Sequence, residues 1–235
     1  MRFNPSAFIR LLCVVVLSII SLSAWSSVVI TGTRVIYPAG QKEVTVKLSN
    51  AGTSPVLVQS WIDNGDLDAK PENISVPFIL TPPINRIEPG KGQTLRLSYT
   101  GAPLPANKES VYWLNVLEVP AKAKGQSAEN YLQMAFRSRI KLFYRPAGLA
   151  GNANDAAKAL SWTASHGGLT ASNPTPYYVS LVTVAVNNKP VEGQMVAPGS
   201  SQTFKLPAAV SAGNKVLLTF VNDYGAVVST ESVIQ

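Results

Sequence analysis

Arg137, Arg139, Lys141 and Arg145 place four cations within nine residues, with no acid among them. Leu132, Met134, Phe136, Ile140 and Leu142 occupy the alternate positions, so the run closed by Pro146 reads as one strand with an apolar face and a cationic face. Such a strand suits the rim of a sheet beside a cleft or a partner better than the middle of a core. The chemistry it offers is the binding of an anion. Arg34, between Thr33 and Val35, is a further cation in a segment otherwise built for burial. By pattern alone it is an exposed arginine on an edge strand. Set across a cleft from Lys141 it becomes half of an anion site. Two cations about 4 Å apart repel by roughly 4 kcal/mol at an effective dielectric of ~20, a cost that an anion between them removes. A carboxylate held by a guanidinium fork and an ammonium is the natural third member. For Arg137 and Arg139 a solvated face is an adequate account.

Catalysis has no candidate residues, and the chain reads as non-enzymatic. His166 is the only histidine and lies beside Gly167-Gly168, as a solvated loop histidine would. Glycine-rich phosphate loops, nucleophile elbows and metal-ligand spacings are missing, so neither cofactor nor metal is expected. Asp63, Asp66 and Asp68 resemble part of a calcium loop, but the glutamate that should follow is absent and a hairpin tip explains them.

These side chains need a scaffold and a compartment. Arg2, Arg10 and the apolar run Leu11–Ala24 form a secretory leader too short to span a bilayer, with the small-x-small site Ala24-Trp-Ser26 after it. Cleavage is expected after Ser26, leaving an exported chain with no membrane span. Cys13, the single cysteine, lies in the part removed, which excludes disulfides, zinc thiolates and cysteine nucleophiles. The net charge of +7 is uneven: 14 Lys and Arg face 9 Asp and Glu from Ser27 to Pro146, and 4 face 4 thereafter. Export, and cations that do not interleave with stackable aromatics, argue against nucleic acid.

Short alternating runs bounded by Gly, Pro, Asn and Asp recur along the whole chain and predict an all-β protein. The strands expected are Val28–Tyr37, Glu43–Leu48, Val56–Ile62, Gln93–Tyr99, Val111–Val119 and Tyr131–Tyr144. A second set follows near Leu160–Ala164, Gly168–Ala171, Tyr177–Asn187, Ser201–Lys205, Lys215–Val221 and Val227–Ile234, with Asn222-Asp-Tyr-Gly225 as the last hairpin turn. The small, polar segment 147–155 reads as a linker or hinge. The predicted organisation is a leader at 1–26 and two immunoglobulin-like sandwiches at 27–146 and 147–235. Trp61, Trp113 and Trp162 fall within strand patterns and are expected in cores.

Thr33-Arg-Val-Ile-Tyr-Pro38, Glu109-Ser-Val-Tyr-Trp-Leu-Asn115, Ile140-Lys-Leu-Phe-Tyr-Arg-Pro146, Asn173-Pro-Thr-Pro-Tyr-Tyr-Val179 and Asn222-Asp-Tyr-Gly225 carry a resemblance that spans both halves. The chain resembles the periplasmic chaperones of the chaperone–usher pathway, which assemble pili. The resemblance implies a boomerang of two immunoglobulin-like domains whose cleft holds a pilus subunit, later delivered to an outer-membrane usher. It implies that Arg34 and Lys141 anchor the subunit's C-terminal carboxylate and that Leu132, Met134 and Phe136 are donated to the subunit's incomplete sandwich. This donor-strand complementation is a known form of β-augmentation. It further implies an interdomain salt-bridge network of Glu109, Arg145 and Asp223, and a Thr81–Pro82 bond that is often cis. The short connection 120–130, without a cysteine pair, resembles the short-loop branch of the family. Self-association of the free form through its donor strand stays open, as does the alternative of a secreted two-domain adhesin or carbohydrate-binding protein.

Overall fold

Alternation of apolar and polar residues sets the strands, and Gly, Asn and Pro set where they turn. The computed structural model describes residues 27–121, 134–165, 167–206 and 209–235. The first of its two halves contains β1 (Val28–Ile30), β2 (Arg34–Pro38), β3 (Val44–Asn50), β4 (Val56–Asp63), β5 (Phe78–Thr81), β6 (Ile84–Ile87), β7 (Gly92–Tyr99), β8 (Ser110–Pro120) and β9 (Phe136–Arg145). One sheet has the order β1-β3-β7-β5 and the other β2-β9-β8-β4-β6. Tyr37, Leu48, Val58, Leu95, Leu114 and Leu142 meet between them in one buried core. Burying each such leucine contributes about 1.5–3 kcal/mol.

The second half contains β10 (Ser161–Ser165), β11 (Gly168–Ser172), β12 (Val179–Val186), β13 (Lys189–Glu192), β14 (Met195–Val196), β15 (Ser201–Lys205), β16 (Lys215–Val221) and β17 (Val227–Val233). Its sheets run β10-β11-β15 and β13-β12-β16-β17, with β14 alongside β12. A separate core gathers Trp162, Leu169, Val184, Phe204, Val216 and Leu218. Two immunoglobulin-like sandwiches result.

Several sequence expectations change. Val28–Tyr37 is two strands in different sheets, because Gly32 at φ +96° turns the chain out of β1 and into β2. The expected strand Tyr131–Tyr144 is β9, which begins at Phe136; Tyr131, Leu132 and Gln133 lie outside the described residues, as does His166. The expected linker is a linker only in part. Ala153–Ala159 forms a 3-10 helix that begins where Asn152 Oδ1 accepts the Asn154 N–H, and Ala156 and Ala157 are buried against the second core. Trp162 is fully buried, whereas Trp61 and Trp113 are half-buried on the outer face of the five-stranded sheet. Thr81–Pro82, between β5 and β6, is cis.

Candidate functional site

The site begins with how β2 meets β9. The two run parallel, and their ladder opens with Arg34 opposite Lys141 and closes with Pro38 opposite Arg145. Upstream of Lys141, Phe136–Ile140 pair with β8 alone among the described residues. The free edge of β9 therefore starts where the two cations stand. Register carries the same row across the sheet: Asp63, Trp113, Lys141 and Arg34 lie side by side on its outer face.

Arg34 reaches the second sandwich, where its Nη1 donates to the Val221 carbonyl at 2.8 Å. Its guanidinium lies 5.6 Å from the centre of the Phe143 ring, and its buried Nε has no hydrogen-bond partner. Burial pulls its pKa below the ordinary value, against the opposing charges of Asp223 and Glu109. Lys141 is lowered too, by burial first and by the Arg34 charge second. Neither cation has a salt-bridge partner among the described residues. Both line a cleft of about 410 Å³ with Thr33, Trp113, Arg139 and Val221, so the cleft spans the two halves. Two half-dehydrated cations facing one cavity make a site for an anion.

On the free edge, Met134 and Phe136 are 56% and 53% exposed. Phe136 stands opposite Glu118 on the face that carries Leu114 and Val116 into the core, but at the sandwich's open end. Leu132 lies outside the described residues.

The structure brings Glu109, Arg145 and Asp223 together at the junction of the halves. Arg145 Nε donates to Glu109 Oε1 at 2.7 Å, and its Nη1 and Nη2 donate to the two Asp223 oxygens at 2.7 and 2.8 Å. The other Glu109 oxygen accepts the Tyr178 N–H at 2.8 Å, and Asn154 Oδ1 accepts the Asp223 N–H at 2.9 Å. Burial alone would lower Arg145, but bonds and charges from both acids raise it well above its ordinary value. Glu109 is raised, by burial above all, with the Asp223 charge adding to it.

Arg139 departs from the solvated-face expectation. Its guanidinium forks onto Asp63, Nη2 to Oδ1 at 2.6 Å and Nε to Oδ2 at 3.1 Å, and lies 4.6 Å over the Trp113 ring. Asp63 is buried and also accepts from Asn115 Nδ2 and the Gly65 N–H. The hairpin tip is thus also half of an ion pair. Burial would push Asp63 up; the bonds from Arg139, Asn115 and Gly65 and the Arg139 charge more than reverse it. Sequence reasoning missed this partner because Asp63 and Arg139 lie 76 residues apart. The approach of Gly225 to the first sandwich was missed as well: at φ +82° this residue lies so close that a Cβ there would meet Thr33 Oγ1 at 2.6 Å.

Known proteins supply the family of this two-sandwich chain. The profile described as "Pili and flagellar-assembly chaperone, PapD N-terminal domain" matches residues 27–150, and the PapD pili-assembly chaperone C-terminal profile matches 155–232. The chain belongs to the PapD-like pilus-assembly chaperones. It is 47% identical over 221 residues to the chaperone protein FimB/FhaD of Bordetella pertussis, covering 90% of each chain. It is 45% identical to the probable fimbrial chaperone YadV of Escherichia coli, covering 92% of this chain and 94% of the relative. The crystal structure of a YadV chaperone superimposes with a TM-score of 0.77 at 42% identity, covering 89% of this chain and 100% of that one. The Salmonella enterica SafA pilin–SafB chaperone complex gives 0.77 at 30% identity, covering 90% and 98%. This pilus chaperone is therefore periplasmic and non-enzymatic; it stabilises pilus subunits by donor-strand complementation and delivers them to an outer-membrane usher.

Proposed function

We propose that Arg34 and Lys141 hold the C-terminal carboxylate of the subunit, while Leu132, Met134 and Phe136 fill its incomplete core. The observation that carries this reading is the coincidence of the Arg34–Lys141 pair with the point where the β9 edge becomes free. A strand that ends on those cations and lies along Phe136–Ile140 runs parallel to β9 and in line with β2. It pairs the open backbone groups of β9, and the exposed Met134 and Phe136 side chains leave water as it docks. The carboxylate sets the register, since sliding by two residues removes it from both cations. Without a subunit, the same edge is available to a second copy of the chaperone. Glu109, Arg145 and Asp223 hold the angle of the cleft.

The leader is taken to end at Ser26, with domains at 27–146 and 147–235; nucleic acid is not a partner, and the mature chain spans no membrane. Among the described residues no helix is long and apolar enough to cross one. Replacing Arg34 or Lys141 with Ala removes a charge-assisted contact of about 1.5–3 kcal/mol, so Kd for the subunit should rise about 10- to 150-fold. Thermal unfolding should be unchanged in Lys141→Ala, whereas Arg34→Ala also loses its bond to the Val221 carbonyl and should unfold slightly earlier. A subunit with an amidated C-terminus should lose as much affinity for the wild type and little more for the variants. Wild-type recovery of the subunit by both variants would remove the anchor assignment.

A further inference from the structure

Glu118 lies near the end of β8, facing inward as Leu114 and Val116 do, and is only 7% exposed. No basic side chain among the described residues forms an ion pair with it. A carboxylate kept from water without a cation is costly, so something else must compensate it. Its oxygens turn to the start of β1: Oε1 accepts the Ser27 hydroxyl, and Oε2 accepts the Val28 N–H at 3.0 Å. Ser27 is itself held in place. Its carbonyl accepts the Ala51 N–H at 2.7 Å, and Gly52 packs so near that a Cβ there would come within 2.7 Å of the Ser27 Cβ. The Ser27 nitrogen lies about 3–4 Å from its own hydroxyl oxygen in any staggered rotamer and one residue before the Val28 N–H, so the two groups that flank it both bond the same carboxylate.

We propose that Glu118 is a binding site for the α-ammonium group that leader removal creates at Ser27. The inference rests on the reading that the leader ends at Ser26. Before cleavage the Ser27 nitrogen is an uncharged amide. Hydrolysis of the Ser26–Ser27 bond leaves a carboxylate on the leader and an ammonium on Ser27, next to the one buried acid that lacks a cation among the described residues. An ion pair then joins two hydrogen bonds from neutral donors, and β1 is locked to β8. Glu118 stands directly opposite Phe136, so processing tightens the pole of the sandwich from which the donor strand projects.

The test compares the mature chain with Ser27 free and with Ser27 acetylated, each carrying Glu118 or Glu118→Gln. The free α-amine should titrate by ¹⁵N NMR above the about 7.7–8.0 of an ordinary chain end and return to that range in Glu118→Gln. The Ala51, Gly52, Val58 and Phe136 residues around the contact carry no titratable side chain. Acetylation should lower Tm by several degrees when Glu118 is present and by much less in the Glu118→Gln background. The difference should persist below pH 8 and vanish as pH rises through the raised value, because a group whose folded pKa is raised stabilises only while protonated. If Glu118→Gln does not fold, Glu118→Asp supplies the comparison, with an α-amine value between the two. An α-amine that titrates alike in all forms, or an equal Tm loss on acetylation in both backgrounds, would overturn the proposal. So would an exported chain whose sequenced first residue is not Ser27. None of these readouts involves subunit binding, so failure of the carboxylate anchor leaves them untouched.

Discussion

Arg139 and Lys141 are two residues apart on one face of β9, yet one is neutralised and the other is not. The difference is Asp63, which takes the Arg139 fork and leaves Lys141 and Arg34 as the uncompensated charges of the cleft. A site for a single carboxylate gains from this, because a third free cation beside it would hold the cleft open to multiply charged anions. Asp63→Asn should cost about 3 kcal/mol by urea unfolding at neutral pH, the lower end for breaking a buried pair, since Arg139 keeps some contact with water. The Asp63 carboxyl lies below its ordinary range in the fold. Its stabilisation is therefore complete above the unfolded value of about 3.9 and is lost as pH falls through the folded one. The gap between wild type and Asp63→Asn should narrow below pH 4. A gap that stays constant from pH 7 to pH 3 would show that the ion pair does not supply it.

Among the elements, those whose residues alternate between core and solvent were legible in the sequence: β3, β4, β7, β8 and β16 fall close to where alternation puts them. Alternation shows which residues share a face but not which sheet a strand joins. It therefore missed the switch at Gly32, and it placed Trp113 in a core when that ring lies under Arg139 on the outer face. The cations Arg34, Lys141 and Arg145 stood out by type and position, whereas their surroundings depend on partners brought from distant segments. Gly225 belongs to this second group. Its turn, closed by the Gly225 N–H donating to the Asn222 carbonyl, was readable; its approach to Thr33 was not. Gly225→Ala combines about 1–2 kcal/mol of left-handed backbone strain with a clash against Thr33. It should lower Tm and weaken subunit binding. Adding Thr33→Ala removes the atom that is struck, so the double variant should recover binding more than Tm. Recovery of neither quantity would mean the two sandwiches do not bear on each other at this point.

In the whole molecule, two separate cores meet through polar contacts and the packing of the Phe143 ring against Tyr178, 5.8 Å between centres. Sandwiches joined in this way move relative to one another unless something rigid bridges them. The bridges include Arg145 to Asp223, the Glu109 carboxylate to the Tyr178 N–H, the Glu109 N–H to the Pro176 carbonyl, and Arg34 to the Val221 carbonyl. Each has one end on the strands that form the cleft or beside them, so the angle between the sandwiches and the position of the anion site are set together. Asp223→Asn replaces a two-pronged carboxylate contact with a neutral one while Arg145 keeps Glu109. The side chains are about one-fifth exposed, which limits the loss to about 1–2 kcal/mol. Each sandwich retains its own core, so near-ultraviolet circular dichroism should be unchanged. What should change is the distribution of angles: small-angle scattering should show a broader, larger radius of gyration, and calorimetry two resolved transitions in place of overlapping ones. Subunit affinity should fall with the broadening, because the carboxylate proposed to sit on Arg34 and Lys141 would then find the second sandwich in place only part of the time. High salt should reproduce part of this in the wild type and little in the variant. An Asp223→Asn protein with unaltered scattering but weakened binding would shift the cause from cleft geometry to the loss of a negative charge near Arg34.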